Sequence, residues 1–362
     1  MQQIVDNRNQ CYGCEACRYS CPAGAISMEA DKEGFFYPVI DQAGCVDCGI
    51  CREVCPAPDK DVFKADNSFF AVRVKDRELL EKSTSGGAFS LIAGEILNMG
   101  GLVCGAAYDE ALNVKHILAE DISPMRKSKY VQSSLGDVFG KIKEAADGGR
   151  TVLFTGTPCQ CHAIKNVFKG YENLWLASVI CRGVQSPLYW QEYCRFLETQ
   201  HGGNLTFYCA REKIKTDDAH TVVYTVGQET YQGNYMKDPF CRIYSKELSL
   251  RPSCYSCPYT TAVKDFDFTI GDYWGVEKEY PDLADGKGTS LVICGNARSA
   301  KLLQGCGDKA DIRPADPDNS LQPALVSPAK EGFLRKFFIK DFASKREDGD
   351  SDIAMILKKY GV

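Results

Sequence analysis

Short apolar runs alternate along this chain with longer stretches in which apolar residues recur every third or fourth position, and these two periods mark strands and helices. Residues 69–74, 101–108 and 115–118 predict strands, while 87–98 and 135–146 carry the helical spacing. Two strand-then-helix units follow closely. The run at 151–155 leads into a helix from Pro158, and the run at 174–180 into a helix over 186–198. Further on, 205–233 predicts short antiparallel strands, with 222–226 the clearest, and 266–270 and 291–293 predict two more. The charged tail from 330 to 360 is helical in pattern. Such alternation predicts a partly parallel sheet covered by helices, with ligands gathering at the carboxyl ends of the strands.

Ahead of residue 60 this pattern is absent and cysteine takes over. Cys11, Cys14, Cys17 and Cys21-Pro22, then Cys45, Cys48, Cys51 and Cys55-Pro56, repeat the spacing C-x2-C-x2-C-x3-C-P at an offset of 34 residues. That is the bacterial two-cluster ferredoxin pattern, in which three thiolates of one loop hold three corners of a cubane and the fourth serves the other cluster. The expected ligand sets therefore cross: Cys11, Cys14, Cys17 and Cys55 for one [4Fe-4S] cluster, and Cys45, Cys48, Cys51 and Cys21 for the second. Zinc sites show paired C-x2-C knuckles with wide gaps, and disulfides need an oxidising compartment, so neither suits a run of four within one loop.

Composition changes this picture in three places. With 362 residues and 44% hydrophobic content the chain can bury a sizeable core and is long enough for two or three domains. The expected divisions are a dicluster domain at 1–60, the first part of a core at 61–150, and its second part at 151–362, with the proline-broken stretch at 56–61 as linker. Between Cys11 and Cys55 seven acids face three bases, so this segment holds most of the chain's net charge of −5 and suits a basic partner face, such as that of a redox protein. No basic stripe suggests nucleic acid, and the nearest approach to a membrane span, 91–108, is broken by Glu95, Asn98 and Gly100-Gly101. The first residues show no basic stretch followed by an apolar run, so a cytoplasmic location is expected, with metal ligation accounting for many of the nineteen cysteines.

A third metal site is expected in the core. Cys254-Tyr255-Ser256-Cys257 is half a site, and Cys159 and Cys181 each lie just past the end of a predicted strand. If those strands are parallel neighbours, both thiols emerge at one edge of the sheet. Pro158 suits the first position of a helix, where free N–H groups favour a Cys159 thiolate.

Taken together, Ser83-Thr84-Ser85-Gly86-Gly87, Ser128-Lys129-Tyr130-Val131-Gln132-Ser133, Gly156-Thr157-Pro158-Cys159-Gln160, Cys181-Arg182-Gly183-Val184, Arg251-Pro252-Ser253-Cys254 and Ile270-Gly271-Asp272-Tyr273-Trp274-Gly275 resemble the family of coenzyme F420 hydrogenase/dehydrogenase beta subunits. The resemblance runs from about Ser68 to the C-terminus. It implies a flavin, FAD or FMN, beside a [4Fe-4S] cluster on Cys159, Cys181, Cys254 and Cys257, giving three clusters in all. Cys161 falls outside that motif, and Cys104, Cys194, Cys209, Cys241, Cys294 and Cys306 match no ligand position.

Ser83, Thr84, Ser85, Gly86 and Gly87 alone would be a helix cap; with the resemblance they become candidate flavin contacts, joined by Lys129 and Gln132. No glycine-rich dinucleotide fingerprint points to a nicotinamide coenzyme. His116, His162 and Tyr130 are weighed as proton donors and none is assigned. The expected fold is α+β or α/β: a small ferredoxin-like dicluster domain followed by a mixed α/β flavin and iron-sulfur core. The expected protein is an oxidoreductase that passes electrons between a ferredoxin-type carrier and an unidentified small molecule. Alternatives are an electron-transfer subunit with no substrate of its own, or a true F420 oxidoreductase; oligomerisation is open.

Overall fold

Two loops of matching backbone shape open the structure, a computed structural model that describes residues 4–57, 67–214, 221–347 and 353–361. In the first loop Gly13 and Glu15 take φ of 65° and 62°, and in the second Asp47 and Gly49 take 55° and 77°. These are equivalent positions of the repeat. Each left-handed pair curls the chain around its cysteines and delivers it into one helical turn, Ala16–Tyr19 or Ile50–Glu53. A hairpin of β1 (Ile26–Ala30) and β2 (Phe36–Ile40) joins the loops. The expected linker falls mostly on residues 58–66, outside the described residues.

Behind this module stands one eight-stranded mixed sheet. Its strands are β3 (Ser68–Val74), β4 (Leu102–Tyr108), β5 (Val114–Ala119), β6 (Val152–Gly156), β7 (Leu174–Val179), and, after a separate three-stranded sheet of β8 (Leu205–Glu212), β9 (Thr221–Val226) and β10 (Glu229–Asn234), β11 (Phe268–Asp272), β12 (Ser290–Cys294) and β13 (Ala310–Pro314). The spatial order is β13-β3-β12-β11-β7-β6-β4-β5. The four middle strands β11, β7, β6 and β4 run parallel, and antiparallel strands flank them. Every residue of β6 and β12 is buried, as expected where helices or loops cover both faces. Strands from both sides of residue 150 share this sheet.

The helices begin where local chemistry starts them. Pro158–Val167 opens with proline and a capping box between Thr157 and Gln160; Pro187–His201 opens with Ser186 as cap and closes on Gly202 at φ 72°. The predicted strand at 266–270 lies two residues later, at β11, because Phe266 and Asp267 turn inward: the Asp267 carboxylate accepts from the Leu176 N–H at 2.8 Å and pairs with Arg298. Edge strand β13 and the β1–β2 hairpin escape the periodicity, since their apolar content is too low or too irregular for a period to show.

The ferredoxin module is fastened to the core by buried polar contacts. Glu15 reaches out of the first loop, and its carboxylate accepts from the Ser134 hydroxyl at 2.7 Å and the Leu135 N–H at 2.9 Å. The Arg251 guanidinium, 1% exposed, donates to the carbonyls of Cys11 (2.8 Å) and Phe36 (2.9 Å). Arg335, from the start of the tail helix Arg335–Glu347, pairs with Glu33 of the hairpin turn. At Gly34, φ 83°, a Cβ would lie 2.1 Å from the Leu188 side chain, so the turn presses directly on the helix Pro187–His201.

Replacing Glu15 with alanine leaves the buried Leu135 N–H without its acceptor, and should cost about 1–3 kcal/mol. Urea unfolding checks the cost, and limited proteolysis of the native chain should show earlier release of the module.

Candidate functional site

Parallel pairing sets the first two core thiols. In the β6–β7 register Val152 faces Leu174 and Gly156 faces Ser178, so the two strands end level. Cys159 stands in the first turn of the helix after β6, with the Thr157 hydroxyl 3.2 Å from its sulfur, and Cys181 stands two residues past β7. The second pair is zipped alongside. Leu250 bridges Gln185 in antiparallel fashion, the Arg251 N–H donates to the Val184 carbonyl at 3.0 Å, and Pro252–Ser256 then coils into a 3-10 helix carrying Cys254. Only glycine leaves room at 183, where a Cβ would come within 3.2 Å of Cys254 and closer to Leu250.

The four thiols sense one another. Burial pushes Cys181 well up, and Cys254, Cys159 and Cys257 push it further; burial also raises Cys254, to about 11, with Cys159 adding to the rise. Lys264, almost fully buried, lies beside them and is drawn down by burial to about 8, with Cys257 and Cys181 opposing the fall.

Similar crowding holds in the module. Cys14 is raised by burial and then by Cys17, Cys55 and Cys11, so Cys55 of the second run sits with the first run's thiols. Cys51 is raised by burial, with Cys48 and Cys21 adding to it, which places Cys21 with the second run. Cys11, Cys14, Cys17 and Cys55 also share the lining of one cavity with Tyr12 and Met28. All nineteen cysteines are free, so no disulfide competes for them. Among the described residues no three His, Cys, Asp or Glu side chains gather as they would on a single metal ion. Thiols alone, gathered in groups, suit a larger cationic body that would deprotonate them on binding, and an iron-sulfur cubane fits that donor set.

Between the inner module thiols and the core thiols lie two packed aromatic rings. Tyr12 and Tyr259 meet edge to face at 5.7 Å, and the Tyr259 hydroxyl is 2.6 Å from His162 Nδ1. Both phenols are raised chiefly by burial, with Cys159, Cys257 and Cys14 adding to the rise. Exposure falls from the outer run to the inner one, where Cys48 is exposed and Cys14 and Cys17 are buried; the four core thiols are half-buried, and Cys181 borders a cavity.

That cavity, about 820 Å³, opens at the carboxyl ends of β6, β7 and β11. Ser83, Thr84, Ser85, Gly87 and Lys129 line it, as do Cys181 and His116. Gly86 and Gln132 do not. Gly86 is pressed into the backbone, where a Cβ would lie 2.2 Å from the Val72 carbonyl oxygen, and its N–H donates to Ser290 Oγ at 3.0 Å. Gln132 instead faces the module, donating to the Tyr12 carbonyl at 3.1 Å and accepting from Arg251 at 2.9 Å. Residues missed in the sequence also line the wall. Arg182 pairs with Glu247, and Arg211 with Asp272 at 2.7 Å; Arg182 and Asp272 stand within the family-like motifs, whereas Arg211 sits in an ordinary strand pattern with nothing to mark it.

Of the proton-donor candidates, His116 is spent. Its Nε2 lies 3.0 Å from the Thr155 carbonyl oxygen, which requires the proton on Nε2, and burial holds the ring down to about 4. His162 is held by Tyr259 and is absent from the cavity wall, while Tyr130 lines it with its phenol raised by burial.

Residues 149–320 match the family model for the C terminus of the coenzyme F420 hydrogenase/dehydrogenase beta subunit, and residues 10–58 match the 4Fe-4S dicluster domain. Residues 149–320 thus carry that family's C-terminal domain, behind a dicluster module at 10–58. Among curated relatives, one subunit of the F420H2 dehydrogenase of Methanosarcina mazei is 27% identical over 181 residues, covering 44% of this chain and 49% of the relative. The chain thus spans about half the length of that relative. A ferredoxin-like protein from the nif region of Rhizobium leguminosarum bv. trifolii is 39% identical over 57 residues, 14% of this chain and 81% of the relative. A chain of the F420-reducing [NiFe] hydrogenase complex from Methanosarcina barkeri superposes with a TM-score of 0.47 at 16% identity, over 80% of this chain and 92% of that one, a likeness too loose to build on. Within the beta-subunit domain lie Cys159, Cys181, Cys254 and Cys257, and the dicluster match spans all eight module cysteines.

Because the folded-state pKa of His116 lies at about 4, below its ordinary 6.5, the unfolded chain binds the proton first as pH falls. Stability from this ring is complete above pH 6.5 and is lost between 6.5 and 4, by up to about 3 kcal/mol. Urea unfolding of the protein at pH 7 and pH 5 should show the loss, and His116→Phe should flatten that part of the slope.

Proposed function

We propose that this chain is an iron-sulfur flavoprotein oxidoreductase. In this reading Cys11, Cys14, Cys17 and Cys55 hold an inner module cluster, Cys21, Cys45, Cys48 and Cys51 an outer one, and Cys159, Cys181, Cys254 and Cys257 a third. The observation that carries it is a shared wall: Cys181, one of the core thiols, borders the same cavity as Ser83–Ser85, Gly87 and Lys129. Bound in that cavity, a flavin would supply exchange between single electrons and a hydride pair, which clusters alone do not perform.

The protein's own groups have distinct parts in this scheme. In the loop at 83–87 the Ser83 and Ser85 hydroxyls already donate to the Leu79 and Thr289 carbonyls, so the Thr84 hydroxyl and the N-terminus of the helix Ala88–Asn98 are what this wall would offer a diphosphate. Lys129, drawn down to about 8 by burial, donates to the Arg126 carbonyl at 2.8 Å and brings positive charge to the wall. Tyr12 and Tyr259 keep water from between the inner module thiols and the core thiols. A one-electron carrier such as ferredoxin is the proposed outer partner, at the exposed Cys48 side.

A second reading has support in the names of relatives, which belong to larger assemblies. One is the F420H2 dehydrogenase component already described; another, 44% identical over 46 residues, is a component of an ion-translocating oxidoreductase complex of Methanosarcina acetivorans. In that reading the chain passes electrons to a partner enzyme. Reduced protein that reduces no small molecule, F420 included, yet reduces a co-purifying partner would favour it.

Anaerobically purified protein should contain iron and acid-labile sulfide near twelve each per chain, about four irons per cubane, together with a flavin released on denaturation. Zinc in place of iron, or no flavin after reconstitution with FAD or FMN, would sink the proposal. Cys254→Ser should remove about four irons and leave the two module clusters in the EPR spectrum. Lys129→Met should weaken flavin binding about tenfold by equilibrium titration, a loss of one buried charge-assisted contact.

A further inference from the structure

Arg251 has no part in the scheme above. It belongs to the core, three residues before Cys254, and is 1% exposed. Its hydrogen bonds among the described residues reach no carboxylate: Nε donates to the Cys11 carbonyl at 2.8 Å, Nη1 to Gln132 Oε1 at 2.9 Å, and Nη2 to the Phe36 carbonyl at 2.9 Å. The same Nη2 lies 3.6 Å from the Cys11 sulfur, within reach of an N–H···S hydrogen bond. Tyr37 stacks over the guanidinium, its ring centroid 4.3 Å away, and Phe35 flanks it at 5.3 Å. A buried cation is expensive unless something negative offsets it. The carbonyls and the aromatic faces supply part of that offset; a cluster carried on Cys11 would supply the rest.

The outer set differs. Among the described residues no core side chain donates to the sulfurs of Cys21, Cys45, Cys48 or Cys51, and Cys48 is exposed to solvent. Hydrogen bonds to ligand sulfurs and nearby charge are among the chief means by which a protein sets a cluster's potential.

We propose that Arg251 makes the inner module cluster the stronger electron acceptor of the two, and so directs electrons from the exposed loop toward the core. This rests on the ligand reading given above. The step is one electron lost by the outer cluster and one gained by the inner, with no proton moved, since a guanidinium stays protonated at any working pH. The external donor is a low-potential one-electron reductant. Because Arg251 comes from the core, the bias exists only while the module is docked, which ties the direction of flow to the assembled chain.

The test is an EPR-monitored redox titration of the full chain, purified anaerobically, with iron counted on every sample. Cys48→Ser, at the exposed loop, identifies the outer cluster's signal by altering it. Arg251→Gln should lower the equilibrium constant for electron transfer from outer to inner cluster about tenfold, equivalent to a fall of about 59 mV in the inner midpoint, and leave the outer midpoint in place. Arg251→Lys keeps the charge without the fork, and should lose about threefold or less. An inner midpoint that stays put with full iron, or an outer midpoint that falls equally, overturns the inference. Should Arg251→Gln lose its clusters, Gln132→Leu decides: freeing one arm of the guanidinium must produce a smaller shift of the same sign, and no shift is a refutation. Fewer than about eight module irons in the unsubstituted protein would overturn the ligand reading itself, and this inference with it.

Discussion

Level pairing of two parallel strands is the constraint on which the rest of this molecule depends. Because β6 and β7 end at the same height, the chain leaves both at one edge of the sheet, and Cys159 and Cys181 emerge together. A one-residue slip would turn each side chain to the other face. The same edge is where the middle strands of a parallel sheet leave their crevice, so the thiol group and the 820 Å³ cavity meet there as a result of topology rather than by separate arrangement. The zipper of Gln185 with Leu250 then brings the second cysteine pair to the first.

The ferredoxin module adds a second constraint, orientation. Three polar fasteners, at Glu15, Arg251 and Glu33, turn its first loop toward the core and its second toward solvent. Glu15 holds a left-handed backbone that a non-glycine residue adopts at a cost, and its carboxylate contacts with the 134–135 loop offset that cost. The result is a continuous path: exposed Cys48, buried Cys14 and Cys17, the Tyr12–Tyr259 pair, the half-buried core thiols, and finally the cavity wall at Cys181.

Much of this was legible in the sequence, and the reasons are physical. Cysteine spacing is read directly because a cubane demands thiolates at fixed intervals, and the β6 run was clear because a strand buried on both faces is almost continuously apolar. Motif residues were less reliable guides to their own surroundings. Gly86 and Gln132 stand inside motifs that border the cavity, yet one is needed for backbone packing and the other faces the module. Arg211, by contrast, lines the cavity from a β-strand whose pattern carries no mark of it. The fasteners were invisible for a different reason: Glu15 with Leu135, Arg251 with Cys11 and Arg335 with Glu33 join residues 120 or more positions apart, and no local period records such pairs.

The most direct measurement is an anomalous difference map collected at the iron absorption edge from anaerobically grown crystals of the full chain. Three separate iron groups are predicted, the third among Cys159, Cys181, Cys254 and Cys257 at the wall of the cavity. Iron confined to the ferredoxin module, with those four thiols free of iron or holding zinc, would contradict a relay that ends at the cavity.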